Sequence, residues 1–167
     1  MKYDRDFLEG AHNDIKADMV AIGLEPHRRP PNRISHFTYG CDFYTLRYWR
    51  SEDTDFLRMT ARWYNQSCLE LLVINNRLFI GIWFGLNNKV PLKLNSHKRV
   101  IMDKSKEYSG YTWADENGVS APTDEKLIQW LCESGHETAF RKELTNYNRD
   151  EVVAEMQHLK EYLDILL

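Results

Sequence analysis

The chain has 167 residues, of which 43% are hydrophobic and 13% aromatic. This is enough apolar sequence for one sizeable core and too little for two ordinary domains, so a single globular domain is predicted over residues 1–167. The net charge of −3 excludes a polyanionic mimic of DNA and a strongly basic chromatin-type protein.

The N-terminal segment predicts an amphipathic helix, because five apolar residues recur at helical spacing. These residues are Leu8, Ala11, Ile15, Met19 and Ile22. Three prolines then prevent the helix from continuing and predict an extended linker on the surface. The linker is basic, since it carries Arg28, Arg29 and Arg33.

Residues 34–64 are dense in aromatic and β-branched side chains and predict a hairpin followed by a third strand. In the third strand, apolar residues from Leu57 to Trp63 alternate with a polar set. The polar set, which we expect on the outward surface, consists of Arg58, Thr60, Arg62 and Tyr64.

A second hairpin is predicted from two strands, Cys68–Ile74 and Arg77–Phe84. Asn75 and Asn76 lie between them, and asparagine tolerates the positive φ angles of a two-residue type I′ turn. The predicted register forms an all-aliphatic face. Its pairs are Val73 with Leu78, Leu71 with Ile80, and Leu69 with Ile82.

Three helices are predicted after residue 122. Thr123 is the expected N-cap of a helix over residues 124–132. Apolar residues at helical spacing predict a short helix next. They are Ala139, Phe140, Leu144 and Tyr147. Asn148 and Glu151 resemble a capping box that opens the last helix.

The last helix carries a single apolar stripe. Its members are Val152, Met156, Leu159, Leu163 and Leu166. We expect the stripe to pack on the chain's own sheet, and the alternative is a homo-oligomer joined through this helix. The predicted fold class is therefore α+β, with an antiparallel meander of about four to five strands packed by an N-terminal helix and about two to three C-terminal helices.

The three cysteines of the chain are far apart and show no CxxC spacing (Cys41, Cys68 and Cys132). An odd and scattered set predicts neither a disulfide framework nor a zinc ribbon, and it favours a cytoplasmic location. No apolar run approaches the roughly 20 residues that cross a bilayer, so no membrane partner is expected. The sequence also lacks metal-ligand spacings and phosphate-binding glycine loops, so no metal or other cofactor is predicted.

Two HxT motifs, His36 with Thr38 and His136 with Thr138, resemble those of the 2H phosphoesterase group. That resemblance implies paired histidines acting as acid and base on a phosphodiester. In the 2H group both motifs lie on strands, whereas the residues after His136 have helical spacing. We therefore favour a capping or solvent-facing role for His136 and Thr138 and predict no catalytic residues.

A group of arginine and aromatic residues is the strongest candidate for a binding site. Its members are Arg47, Trp49, Arg58, Arg62 and Tyr64, with Arg28, Arg29 and Arg33 from the linker. Residues 27–62 contain seven arginines, no lysine and four acids, whereas residues 123–167 contain ten acids and five bases. Guanidinium groups bind carboxylates and phosphates in a planar, bidentate way and stack on aromatic rings. The alternative is a solvated sheet face on which arginine stems cover aromatic rings.

These patterns favour a small non-enzymatic binding protein of the inhibitor or immunity type. Its expected partner is another protein with an acidic surface. The alternative is a nucleotide or single-stranded nucleic-acid binder, or a phosphodiester-processing protein in which the same arginines contact phosphates.

Overall fold

The computed structural model describes residues 2–22, 37–40, 45–51, 54–64, 67–84, 102–115, 120, 123–132 and 138–166. Within these ranges the chain forms seven strands and three helices, besides a short helical turn at residues 102–105. The helices are α1 (Arg5–Ala21), α2 (Asp124–Cys132) and α3 (Arg149–Leu166). The strands are β1 (Phe37–Gly40), β2 (Thr45–Ser51), β3 (Thr54–Tyr64), β4 (Ser67–Ile74), β5 (Arg77–Phe84), β6 (Thr112–Asp115) and β7 (Thr138–Leu144).

All seven strands belong to one antiparallel sheet with the order β1-β2-β3-β4-β5-β7-β6. The first five strands follow each other as a meander, which confirms the predicted α+β class and its antiparallel core. The last strand in sequence, β7, lies between β5 and β6, so β6 forms one edge of the sheet and β1 the other.

The β4–β5 hairpin has the register that the sequence predicts. Val73 pairs with Leu78, Leu71 with Ile80, and Leu69 with Ile82, and all six side chains are buried. Asn75 and Asn76 have φ angles of 49° and 59°, which are the left-handed values that a type I′ turn requires. The two turn residues therefore fix the face on which the aliphatic side chains lie.

The aliphatic side of this hairpin, which we call the first face, is covered by α1 and α3. Asp4 caps α1 by accepting a hydrogen bond from the Phe7 amide at 3.0 Å. The apolar side of α1 then packs into the core through Leu8, Ala11, Ile15 and Met19, as predicted. Ile22 packs against the same core and is partly buried.

The C-terminal helices also begin where the sequence predicts. Thr123 Oγ1 accepts from the Lys126 amide at 3.1 Å, and Asn148 Oδ1 accepts from the Glu151 amide at 3.0 Å. Val152, Met156 and Leu159 of α3 are fully buried in the chain's own core, together with Tyr162, whose place in the core the apolar stripe did not indicate. A coiled coil through this stripe would require α3 to leave that core.

The helix predicted around Phe140 is wrong, because residues 138–144 form β7. β7 pairs with β5 over seven residues and with β6 over four. The helical spacing of the apolar residues was therefore overridden by hydrogen bonds to two neighbouring strands, which a local pattern does not include. Phe140 and Leu144 contribute to the core on the first face, and Ala139 is buried on the other side of the sheet.

Candidate functional site

Three members of the predicted arginine and aromatic group, Arg47, Trp49 and Arg58, map to the side of the sheet opposite α1 and α3, which we call the second face. Directly paired residues on neighbouring strands share a face, so the register assigns each position. One row of paired positions crosses six strands on this face. It runs through Thr38, Arg47, Arg58, Leu72, Phe79 and Glu143.

Arg47 and Arg58 are direct cross-strand partners on β2 and β3. Paired positions in an antiparallel sheet place their Cβ atoms about 4.5–5.5 Å apart, and like charges at such positions destabilise the sheet. The register therefore places two positively charged residue types at one point of the second face. The sequence predicted that both belong to the group of arginine and aromatic residues but did not show that they are paired.

An aromatic pair lies next to the two arginines. Trp49 pairs with Phe56, and each is two residues away from an arginine on its own strand. Residues two apart on a strand share a face, so the aromatic and arginine pairs form adjacent rows. The row continues through Ile74 to Arg77. Phe56 was not among the predicted site residues, because its place beside Trp49 depends on the register between β2 and β3.

The remaining predicted binding residues are not brought to these two rows. The register shifts between Ala61 and Tyr64, and Tyr64 pairs with Ser67, which belongs to the same alternating set as Leu69. Alternation predicted that Tyr64 shares the face of Arg58, but the shifted register places the Tyr64 position on the other face. Arg62 lies within the irregular stretch. Arg28, Arg29 and Arg33 lie outside the described residues.

The two HxT motifs are not adjacent in the sheet. Thr38 lies on β1 and Thr138 begins β7, and β2 to β5 separate these strands. Five strand spacings amount to about 24 Å, too far for two side chains to share one phosphate. Thr138 is 1% exposed on a strand, so the predicted solvent-facing helix start is wrong. His36 and His136 lie outside the described residues.

A buried ion pair occupies the middle of the second face. Arg141 Nε donates to Glu70 Oε1 at 2.6 Å, and the Glu70 side chain is fully buried while that of Arg141 is 17% exposed. Gly81 lies between them in the same row of paired positions. A Cβ atom at Gly81 would lie 2.9 Å from Arg141 Cγ, so glycine leaves the room in which the arginine side chain crosses β5.

Burial on the second face is uneven along β4 and β5. Glu70, Leu72 and Trp83 are buried, whereas Arg77 at the hairpin end is exposed. The Arg77 guanidinium lies 5.3 Å from the centre of the Phe79 ring and donates to Glu143 at 2.8 Å. The hydrogen bond from Arg77 lowers the pKa of the Glu143 carboxyl. At this end of the second face, one arginine, Arg77, therefore contacts an aromatic ring and binds a carboxylate at the same time.

Other kinds of site receive no support from the described part of the chain. Nowhere in it do three or more His, Cys, Asp or Glu side chains come close enough to hold a metal ion. None of the described helices is long and apolar enough to cross a membrane. No protein-family model, curated protein or solved structure matches this chain. The function must therefore be inferred from the chemistry of the site itself.

Proposed function

We propose that this chain is a small non-enzymatic binding protein of the inhibitor or immunity type that acts in the cytoplasm. Its binding site consists of the paired arginines Arg47 and Arg58 and the paired aromatic residues Trp49 and Phe56. Its partner is another protein that presents an acidic surface. The observation that carries the proposal is the direct pairing of two arginines on neighbouring strands.

Two guanidinium groups at paired positions repel each other in the free protein. A carboxylate placed between them would remove that repulsion and accept several charge-assisted hydrogen bonds. The cost in stability is thus recovered when an anionic partner binds. A surface that served only solubility would gain nothing from this arrangement, because its charges would be better placed apart.

The aromatic row supplies the second requirement of a protein interface. Aromatic residues and arginine are enriched where interfaces bind most tightly. Aromatic rings bury much area and lose little conformational freedom, and arginine makes bidentate, charge-assisted hydrogen bonds. The same combination is visible on this face at its hairpin end, where Arg77 lies over Phe79 and binds Glu143. We propose that Arg47 and Arg58 bind carboxylates of the partner in the way Arg77 binds Glu143.

The adjacent arginine and aromatic rows also support a second candidate, a nucleotide or single-stranded nucleic acid. In that case bases would stack on Trp49 and Phe56 while the arginines contact phosphates. A phosphodiester-processing role has less support, because four strands separate the strands that carry the two HxT motifs.

Capture of the tagged protein's partners from source-cell lysate, with and without nuclease, separates the two candidates. A stoichiometric protein partner that survives nuclease treatment supports the proposal, and recovery of RNA, DNA or a nucleotide supports the second candidate. Affinity for the captured partner is then titrated at two salt concentrations for wild type and for an Arg47→Ala, Arg58→Ala variant. We expect at least about a tenfold loss of affinity, since each bidentate contact contributes on the order of 1–3 kcal/mol.

In urea denaturation the same variant should have a free energy of unfolding higher than that of wild type by roughly 0.2–1 kcal/mol, because the repulsion between the two arginines is gone. Arg77→Ala is the matched control, since Arg77 is an exposed arginine on the same face and already has a carboxylate partner. Arg77→Ala should leave partner affinity unchanged. Unchanged affinity in the double variant, with an intact thermal transition, would show that the arginine pair is only a solvated surface.

A further inference from the structure

A cleft of about 420 Å³ lies at the opposite end of the sheet from β2 and β3. It is bounded by the segment around residues 102–113, the start of α2 and the first face of β7. The volume falls at the lower end of the range of sites that hold small molecules in proteins. Its base is apolar and buried, formed by Met102, Leu127 and Phe140.

Two aromatic rings, those of Tyr111 and Trp113, form one wall of the cleft and contact Phe140 at its base. Tyr111 stacks on Phe140 with ring centres 5.0 Å apart, and the Trp113 ring lies tilted against Phe140 with ring centres 4.6 Å apart. The Tyr111 hydroxyl donates to Glu155 at 2.6 Å, and the hydroxyl of neighbouring Tyr108 donates to the His158 carbonyl at 2.9 Å. Both hydroxyls are therefore bound to α3, which holds the rings in place and leaves ring carbon to line the cleft.

The rim of the cleft carries opposite charges. Lys106 Nζ and the Asp124 carboxylate both line it and are 3.9 Å apart, and their side chains are 64% and 60% exposed. Lys106 Nζ also lies 3.6 Å from the exposed Asp103 carboxylate, which does not line the cleft. An ion pair this long and this exposed contributes little to stability. The Lys106 ammonium and the Asp124 carboxylate can therefore separate and each bind the oppositely charged group of a ligand that carries both signs.

We propose that this cleft binds a free aromatic amino acid, whose ring lies against the aromatic wall. The ligand's carboxylate would bind the Lys106 ammonium, and its ammonium would bind the Asp124 carboxylate. The ring alone would fit any planar aromatic compound of this size. The two opposite charges on the rim are what favour a zwitterion over a nucleoside, which carries no charge at either end.

Isothermal titration calorimetry with three probes tests the proposal on the full chain. The probes are L-tryptophan, N-acetyl-L-tryptophanamide, which has the same ring without the charges, and adenosine. We expect L-tryptophan to bind with a Kd of about 1 mM or tighter, and about fivefold or more tighter than the uncharged amide. Adenosine should bind more weakly than L-tryptophan.

Two pairs of variants assign the binding to the cleft. Lys106→Ala should remove the preference for L-tryptophan over the amide, whereas Lys104→Ala, on the same turn but outside the lining, should keep it. Ser120→Trp should fill the cleft and weaken binding about tenfold, whereas Ser109→Trp, also exposed, should not. The proposal is overturned by no saturable binding of L-tryptophan, by tighter binding of adenosine, or by equal binding to the Ser120→Trp protein.

Discussion

Replacing Gly81 by alanine should be among the most destabilising single-methyl additions in this chain. The new Cβ would lie 2.1 Å from the Phe140 carbonyl oxygen and 2.9 Å from Arg141 Cα. A carbon and a carbonyl oxygen approach no closer than about 3.3 Å, so β7 must move away from β5 by roughly 1 Å. That shift lengthens the hydrogen bonds of seven paired residues and carries Arg141 away from Glu70.

The magnitude follows from the buried ion pair. Overpacking alone costs about 1–3 kcal/mol, and breaking a buried pair so that one charge stays uncompensated costs about 3–5 kcal/mol. We therefore expect Gly81→Ala to lower the free energy of unfolding by about 3–5 kcal/mol, measured by urea denaturation. With Glu70 and Arg141 both replaced by methionine, the added cost of Gly81→Ala should fall to that of overpacking, about 1–3 kcal/mol.

Gly10 provides the matched control. It lies inside α1, and a Cβ added there would meet no atom of another part of the chain within 4 Å, so Gly10→Ala should stabilise the protein by about 0.5–1 kcal/mol. A loss of less than about 1 kcal/mol for Gly81→Ala would refute the reasoning, because it would mean that β5 and β7 can separate at that point without disturbing the Glu70–Arg141 pair.

Two further predictions concern the core and its pH dependence. Leu159→Ala should lower the free energy of unfolding in urea by about 2–4 kcal/mol, because Leu159 is fully buried. The control Gln157→Ala, on the exposed side of α3, should change it by less than about 0.5 kcal/mol. Equal effects of the two substitutions would show that α3 docks elsewhere. Burial, and then the hydrogen bond to Glu155, raises the pKa of Tyr111 above its ordinary value of 10.0. The folded state thus keeps a proton that the unfolded chain releases, so the stability that neutral Tyr111 contributes is complete below about pH 10 and declines above it. Urea midpoints measured from about pH 10 upward should fall less steeply in Tyr111→Phe than in wild type, and an equal slope would contradict this account.

Elements with complete local signals could be predicted from the sequence. α1 has its capping aspartate and a regular apolar side, and the β4–β5 hairpin has two asparagines that fix both the turn and the register. Thr123 and Asn148 mark the starts of α2 and α3. In each case the deciding interactions join residues a few positions apart, or across a single tight turn, so the pattern contains the information.

The candidate site could be predicted only in part. The alternation of β3 placed Arg58 in a basic set, but the pairing of Arg47 with Arg58 and of Trp49 with Phe56 depends on how β2 and β3 align. The change at Tyr64 depends on an irregularity in the β3–β4 register, and a one-residue shift moves a side chain to the other face. Composition and alternation do not specify either alignment.

Tertiary structure alone decided the identity of β7 and the centre of the second face. The apolar spacing from Ala139 to Tyr147 is helical, yet the segment is a strand because β5 and β6 offer hydrogen-bonding edges on both sides of it. The same placement joins Arg141 to Glu70, 71 residues away, over a glycine on the strand between them. Interactions that join distant segments are absent from local periodicity, since they depend on which strands become neighbours in the folded sheet.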